Sequence, residues 1–467
     1  MSVSRAPLLL AAVLILLGPV EAVGQDALLG SWSGSLQAGG TNLRIVFHIE
    51  DGDDGLTATM DSPDQGATGI PVSDVTVTGD SLTLAVGRIG GTYRGVLSAE
   101  GDTLDGTWTQ SGQSFPLLLT PVTDDETAPP PRPQHPEPPY PYDSADVTFT
   151  NASAGLTLAG TLTQPEGEGP HPAVVLLSGS GPQNRNSEVF NHKLFHVLAD
   201  HLTRQGVAVL RYDERGVGES DGTFEEATSE DFADDAASAV EFLEGRPEID
   251  RDAIGLLGMS EGGLVAPMVH TQHTPVAFLV LMAGPAVPGG DIIVEQSARI
   301  AAAQGASAPA ADSIRTVQRR LMNAVRSAPD SAALAETVRP LLTERGASGE
   351  QIQSQLDQLT SPWFRFFVRH DPASSLRQVD VPVLALYGSH DLQVPPQQNV
   401  APMRAALGNS PSDDTTVRVL DGLNHLFQPA DTGLPTEYAR IDTTMAPAAL
   451  RTVSDWIRTR TESGQAN

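Results

Sequence analysis

Ile254-Gly-Leu-Leu-Gly-Met-Ser-Glu-Gly-Gly263 is the stretch on which the reading of this chain turns. The apolar run Ile254–Met259 has strand character, and a helix is expected from near Gly262. Between them, Gly258-Met259-Ser260-Glu261-Gly262 has the G-x-S-x-G pattern of a nucleophile elbow, and here it stands in the strand-then-helix context the elbow requires. A strand that reverses into a helix this abruptly crowds its own backbone, so glycine is needed two positions either side of Ser260. The turn lifts the Ser260 hydroxyl above a sheet and sets the Glu261 amide at a helix N-terminus, where it can stabilise a developing oxyanion.

A serine hydroxyl is a poor nucleophile until a base takes its proton, so a histidine and an orienting acid should follow in that fold's chain order of serine, acid, histidine. Asp391 comes just past the apolar strand Val383–Tyr387, and His425 lies beyond a further strand, Val417–Leu420, in Asp421-Gly-Leu-Asn-His-Leu-Phe427. Ser260, Asp391 and His425 are therefore the expected triad. Asp421 competes for the acid's role but stands only four residues before His425; His390 precedes Asp391; His270, His273 and His370 fall outside the order.

Outward from the elbow, apolar strands at Ala173–Leu177, Val207–Tyr212, Ile254–Met259, Ala277–Met282 and Val383–Tyr387 alternate with helices such as Phe190–Gln205 and Glu230–Glu244. Near-continuous apolar strands separated by helices imply a parallel sheet covered on both faces. Val147–Asn151 and Leu156–Thr163 read as an antiparallel hairpin at its edge. Nearly a hundred residues, about 285–378, separate two strands that a short crossover could join, and their helical character (Asp291–Gln304, Ala311–Ser327, Ser331–Thr343, Ser348–Leu359) indicates an inserted cap. Trp363, Phe364 and Phe366 in it either line the substrate pocket or form cap core.

The loop after Ala173–Leu177 is Ser178-Gly-Ser-Gly-Pro-Gln183, whose small residues let backbone amides approach a substrate oxygen. The Ser180 amide is expected as the second oxyanion donor beside that of Glu261, with Gly179 and Gly181 as neighbours able to donate instead. Asp213 and Arg215, in Arg211-Tyr-Asp-Glu-Arg-Gly-Val-Gly-Glu-Ser220, are expected to make a structural turn.

Taken together these residues resemble the α/β-hydrolase superfamily over residues 145–461, and more narrowly a bacterial esterase group among the serine-aminopeptidase-like hydrolases. Ser178–Gln183, Asp213–Ser220, Gly258–Gly263, Ser361-Pro-Trp-Phe-Arg-Phe366 and Leu-Asn-His425-Leu-Phe carry the resemblance. It implies a carboxylesterase acting on small-molecule esters with short acyl chains, without metal or cofactor. A peptidase with the same triad and a non-catalytic binding protein on the same scaffold are the rivals.

Ahead of this region, residues 25–123 hold short strand-like runs, among them Leu43–Ile49, Leu82–Val86 and Phe115–Leu119, broken by Gly, Asp and Ser, as in a small all-β sandwich or barrel of about eight strands. It serves either as a binding module or as a packing module. Residues 124–144 hold a proline-rich stretch expected to be a linker. Residues 1–24, with Arg5, the apolar run Pro7–Val20 and small residues at Ala22 and Gly24, follow the plan of a secretory signal peptide, which implies export to periplasm or medium; an uncleaved anchor would look similar. The chain has 58 acidic against 28 basic residues, Lys193 being the only lysine, for a net charge of -30. Such a surface repels nucleic acid and anionic membranes. The absence of cysteine excludes disulfides, a thiol nucleophile and thiolate metal sites.

Overall fold

The apolar strands register against one another as their composition demands. Val174, Val175, Leu256, Leu257, Val280 and Leu384 are all fully buried, because helices cover both faces of the sheet they form. The structure, a computed structural model, describes residues 25–461 apart from 39–40, 53–54, 64–66, 111–112, 124–130 and 345–348. The signal-peptide expectation for residues 1–24 lies outside them. Two compact units make up the chain, one running through Ala128 and one from Pro129 onward.

The first unit is an antiparallel meander of nine strands, from Gly30–Ala38 to Gln113–Val122, one more than the sequence led us to expect. The two edge strands, Ala67–Pro71 and Asp74–Thr78, are consecutive in the chain. Between them Val72 N–H donates to Ala58 O and Ser73 N–H to Ala85 O, so the sheet curls towards closure as a half-barrel. Trp32, Phe47, Tyr93 and Trp108 fill its interior.

The second unit is built on an eight-stranded sheet. The hairpin Asp143–Asn151/Leu156–Gln164 forms one antiparallel edge, as expected, and pairs with Ala208–Tyr212. From there the strands are parallel, in the order Ala208–Tyr212, His171–Leu177, Ile249–Met259, Leu279–Met282, Val383–Gly388, Thr415–Leu420. The elbow strand Ile249–Met259 is central, so whatever stands at its carboxyl end is flanked by the ends of its neighbours, where ligands bind in open α/β sheets. Between Met282 and Val383 come the helices Gly289–Ala303, Ala308–Ser327, Ser331–Glu344, Gly349–Thr360 and Pro362–Arg369, with a separate hydrophobic cluster that includes Leu321, Val325, Leu334 and Phe364. Among the described residues no helix is long and apolar enough to cross a membrane.

One element differs in kind from expectation. The helix read as Phe190–Gln205 begins only at Leu194. Before it, Glu188–Val189 and His192–Lys193 pair as a tight hairpin whose two turn residues, Phe190 and Asn191, have φ of 51° and 60°. A two-residue turn with both φ positive matches strand twist, and Asn accepts it readily, whereas Phe does so at a cost of roughly 1–2 kcal/mol. The proline-rich stretch from Arg132 on is part of the second unit, with Arg132 buried and donating to Ala439 O.

Candidate active site

Ser260 follows the elbow strand with φ of 54°, a left-handed conformation, and its N–H donates to Met282 O at 2.8 Å. The flanking glycines are obligatory on contact grounds. A Cβ on Gly258 would lie 2.0 Å from Gly262 O, and one on Gly262 would lie 2.1 Å from Leu177 O. Helix Gly262–Gln272 then starts directly behind the turn, and among the described residues the Glu261 N–H has no acceptor.

The structure brings Asp391 and His425 together. His425 Nδ1 lies 2.8 Å from Asp391 Oδ2, with the carboxylate buried. Asp391 Oδ1 accepts from Gln393 N–H at 2.8 Å and Val394 N–H at 2.9 Å, which locks the carboxylate plane. A carboxylate only accepts, so Nδ1 carries the imidazole proton and Nε2 is left as the basic nitrogen. The loop holding His425 is shaped by Asn424, whose Oδ1 accepts from Leu426 N–H and Gln428 N–H. Ser260 and His425 line one pocket of about 300 Å³, although no direct hydrogen bond joins them.

The competing residues are occupied elsewhere. Asp421 accepts from Ser389 Oγ, His390 Nδ1 bonds Ala430 O, His270 pairs with Asp380 and His273 with Asp234. Asp213 accepts from the Arg185 side chain and backbone, and Arg215 pairs with Asp235, so that segment is the structural turn anticipated.

Gly179 and Ser180 both line the pocket, and neither N–H has an acceptor among the described residues. Gly179 stands against the serine: a Cβ built on it would lie 3.2 Å from Ser260 Cβ. Glu214, unnoticed in the sequence, holds this loop at both ends. Its Oε1 accepts from Ser178 Oγ at 2.7 Å and its Oε2 from Gln183 N–H at 2.9 Å. Burial, with Glu261 and Asp235 nearby, pushes its pKa from 4.5 up to about 8. The folded state therefore keeps a proton that the unfolded chain releases, and stability falls as pH rises between those values. Glu214→Gln, a neutral isostere able to serve both partners, should flatten part of that fall. Thermal melts from pH 5 to 9 check this: the melting temperature of the variant should gain on the wild type as pH rises, and parallel curves would reject the assignment.

The cap aromatics are not among the residues lining the pocket that holds Ser260. Phe364 is buried in the cap cluster, Phe366 stacks on His370 at 5.0 Å, and Trp363 donates from Nε1 to Glu261 Oε1 at 2.8 Å. The helix Pro362–Arg369 gives Phe364 and Val368 to the cap core and Phe367 to the core of the sheet, and its indole ties the cap to the residue after the serine. The Glu261 carboxyl, which also accepts from Ser229 Oγ, has its pKa raised by complete burial. The apolar wall of the pocket comes instead from Val189, Phe190, Leu194, Met259, Leu426 and Tyr438. Of these, Met259 and Leu426 lie within the elbow and His425 motifs, whereas Phe190 was read into a helix and Tyr438 sits in a short helix, Pro435–Tyr438, with no motif.

Comparison with known proteins finds hydrolases. An esterase, EstD of Thermotoga maritima, is 25% identical over 284 residues, covering 61% of this chain and 61% of the esterase, so the chain spans less than two thirds of that relative. Among solved structures, the α/β hydrolase GrgF from a Penicillium species aligns over 68% of this chain and 99% of its own at 18% identity and a TM-score of 0.43. An esterase of Pyrococcus furiosus aligns over 71% and 97% at 16% identity and the same TM-score. Residues 190–428, just over half of the chain, match the serine aminopeptidase S33 family. With its elbow serine at the end of a central parallel strand, this chain belongs to the serine aminopeptidase S33 family of α/β-hydrolases.

Proposed function

We propose that the chain is a serine carboxylesterase that hydrolyses short-chain carboxylic esters through an acyl-enzyme. The observation that carries this reading is the 2.8 Å bond from His425 to Asp391 beside Ser260 in one pocket. Ser260 Oγ attacks the ester carbonyl carbon while His425 Nε2 takes its proton, and Asp391 steadies the resulting imidazolium. The Glu261 N–H, with that of Ser180 or its neighbour Gly179, receives the oxyanion. Collapse breaks the carbon–oxygen bond of the alcohol, which leaves with the proton from His425. Water then attacks the acyl-enzyme, gives its proton to His425, and Ser260 departs reprotonated as the acid is released. Apo geometry is often loose between nucleophile and base, and the two close up when substrate fills the pocket.

The pocket volume of about 300 Å³ is at the small end for ligand sites, which favours short acyl chains. Among the described residues that line it there is no carboxylate to pair with the free α-ammonium of an aminopeptidase substrate, which favours esters over peptides. Hydrolysis rates on p-nitrophenyl acetate, butyrate, octanoate and palmitate, with aminoacyl p-nitroanilides alongside, test the reading. Turnover should be fastest on the short esters. Anilide cleavage without ester preference would move the protein to the peptidases, and failure to label with a serine-directed fluorophosphonate would make it a binding protein.

A further inference from the structure

The proline-rich stretch buries a guanidinium against the pocket wall. Arg132, only 7% exposed, donates from Nη2 to Phe190 O at 2.9 Å and to Ala439 O at 2.8 Å, and from Nη1 to Ile441 O at 3.1 Å. Two residues on, Gln134 Oε1 accepts from Thr444 N–H and Met445 N–H, and its Nε2 donates to Met445 O. His135 Nε2 accepts from Lys193 N–H at 3.1 Å. Three successive polar side chains thus bridge two segments far apart in the chain, the hairpin at 188–193 and the segment 438–445.

Those two segments meet across the substrate pocket. Phe190 and Tyr438 both line it, their rings edge to face with centroids 5.7 Å apart. His192, wholly buried, links the same pair of segments a second time, through Nε2 to Tyr438 O and Nδ1 to Thr444 Oγ1. Tyr438 OH in turn accepts from Gln393 Nε2, on the loop whose amides hold Asp391. A buried guanidinium is expensive unless its donors are satisfied; here three carbonyls take Nη1 and Nη2, Nε has no hydrogen-bond partner among the described residues, and the charge of Asp442 favours the cation. A mere spacer has no need to sink its one arginine there. Prolines at 131, 133, 136, 138, 139 and 141 restrict the backbone, so the side chains arrive on a semi-rigid track.

We propose that residues 131–142 form a strap that fixes the width of the acyl pocket, with Arg132 as the positioning residue for the wall made by Phe190 and Tyr438. The proposal rests on the esterase reading for its kinetic consequence only. With the strap released, the hairpin and the segment 438–445 separate, and the pocket loses its discrimination against long chains.

The test uses the full chain carrying Arg132→Met, with Gln134→Ala as a milder second variant and Phe190→Ala as the direct change to the wall. In Arg132→Met the ratio of kcat/KM on octanoate to that on acetate should rise about tenfold, through KM, since small displacements of a wall change selectivity by such factors. Gln134→Ala should move it the same way by less. In the Phe190→Ala background Arg132→Met should add little, because both act on one wall. Hydrogen exchange of the same proteins should quicken at 188–193 and 438–445, a readout independent of turnover. A wild type without Ser260-dependent hydrolysis would sink the esterase reading while the exchange data still judged the strap. The strap is rejected if exchange at both segments is unchanged, if the variants lose only melting temperature while chain-length selectivity stays as in wild type, or if Arg132→Met shifts selectivity as much with Phe190→Ala as without it.

Discussion

Ser260→Ala should lower kcat on p-nitrophenyl acetate by about 10⁵- to 10⁶-fold, leaving only what pocket binding and the oxyanion donors supply. The variant keeps the Cβ, so the strain of a side-chain-bearing residue at φ of 54° is the same in both proteins. The hydroxyl makes no hydrogen bond among the described residues, so removing it breaks none. The N–H bond to Met282 O and the glycine contacts behind the turn are untouched. Melting temperature and circular dichroism should therefore match the wild type while turnover and fluorophosphonate labelling vanish. Hydrolysis within a hundredfold of wild type, in protein free of contaminating esterase, would mean that another group attacks the ester.

The elbow was legible because its chemistry and its sterics are written in the same five residues. Only glycine fits where a Cβ would meet Gly262 O at 2.0 Å, so the motif is a contact requirement that sequence displays directly. Asp391 and His425 were legible for a related reason: each follows an apolar strand, and strand ends in a parallel sheet converge on one rim. The pocket wall was not legible. Phe190 continues an apolar spacing into Leu194, Phe195 and Leu198, and periodicity alone extends the helix through it; the positive φ of Phe190 and Asn191 breaks the helix, and Phe190 O is held there by the distant Arg132. Trp363 misled in the opposite sense. An aromatic cluster at Ser361–Phe366 suits either a pocket or a core, and only the bond from Trp363 Nε1 to Glu261 shows that the indole serves as a tie. Arg132 carried a faint cue, being the one arginine within a run of prolines, but what it reaches lies about 300 residues away at Ala439.

Asp391→Asn is the second large effect, expected to lower kcat by about 10⁴-fold with the fold intact, the scale seen when a triad loses its carboxylate to an amide. The loop dictates how the amide must sit. Gln393 N–H and Val394 N–H both point at Oδ1, so the asparagine carbonyl oxygen is held on that side; a flipped amide would face two donors with its own NH₂. The NH₂ is then left facing His425 Nδ1 and needs an acceptor there. That nitrogen can accept only if the imidazole proton moves to Nε2, which turns the base towards Ser260 into a donor. The imidazolium formed during attack also loses its counter-charge in a site where Asp391 is only 2% exposed. Nitrogen-15 shifts of His425 should report the Nε2–H form in the variant and the Nδ1–H form in the wild type, with KM for acetate nearly unchanged and the whole loss in kcat. A loss below tenfold, or an unchanged tautomer, would show that Asp391 does not orient the base and that the acid must be sought elsewhere on the rim.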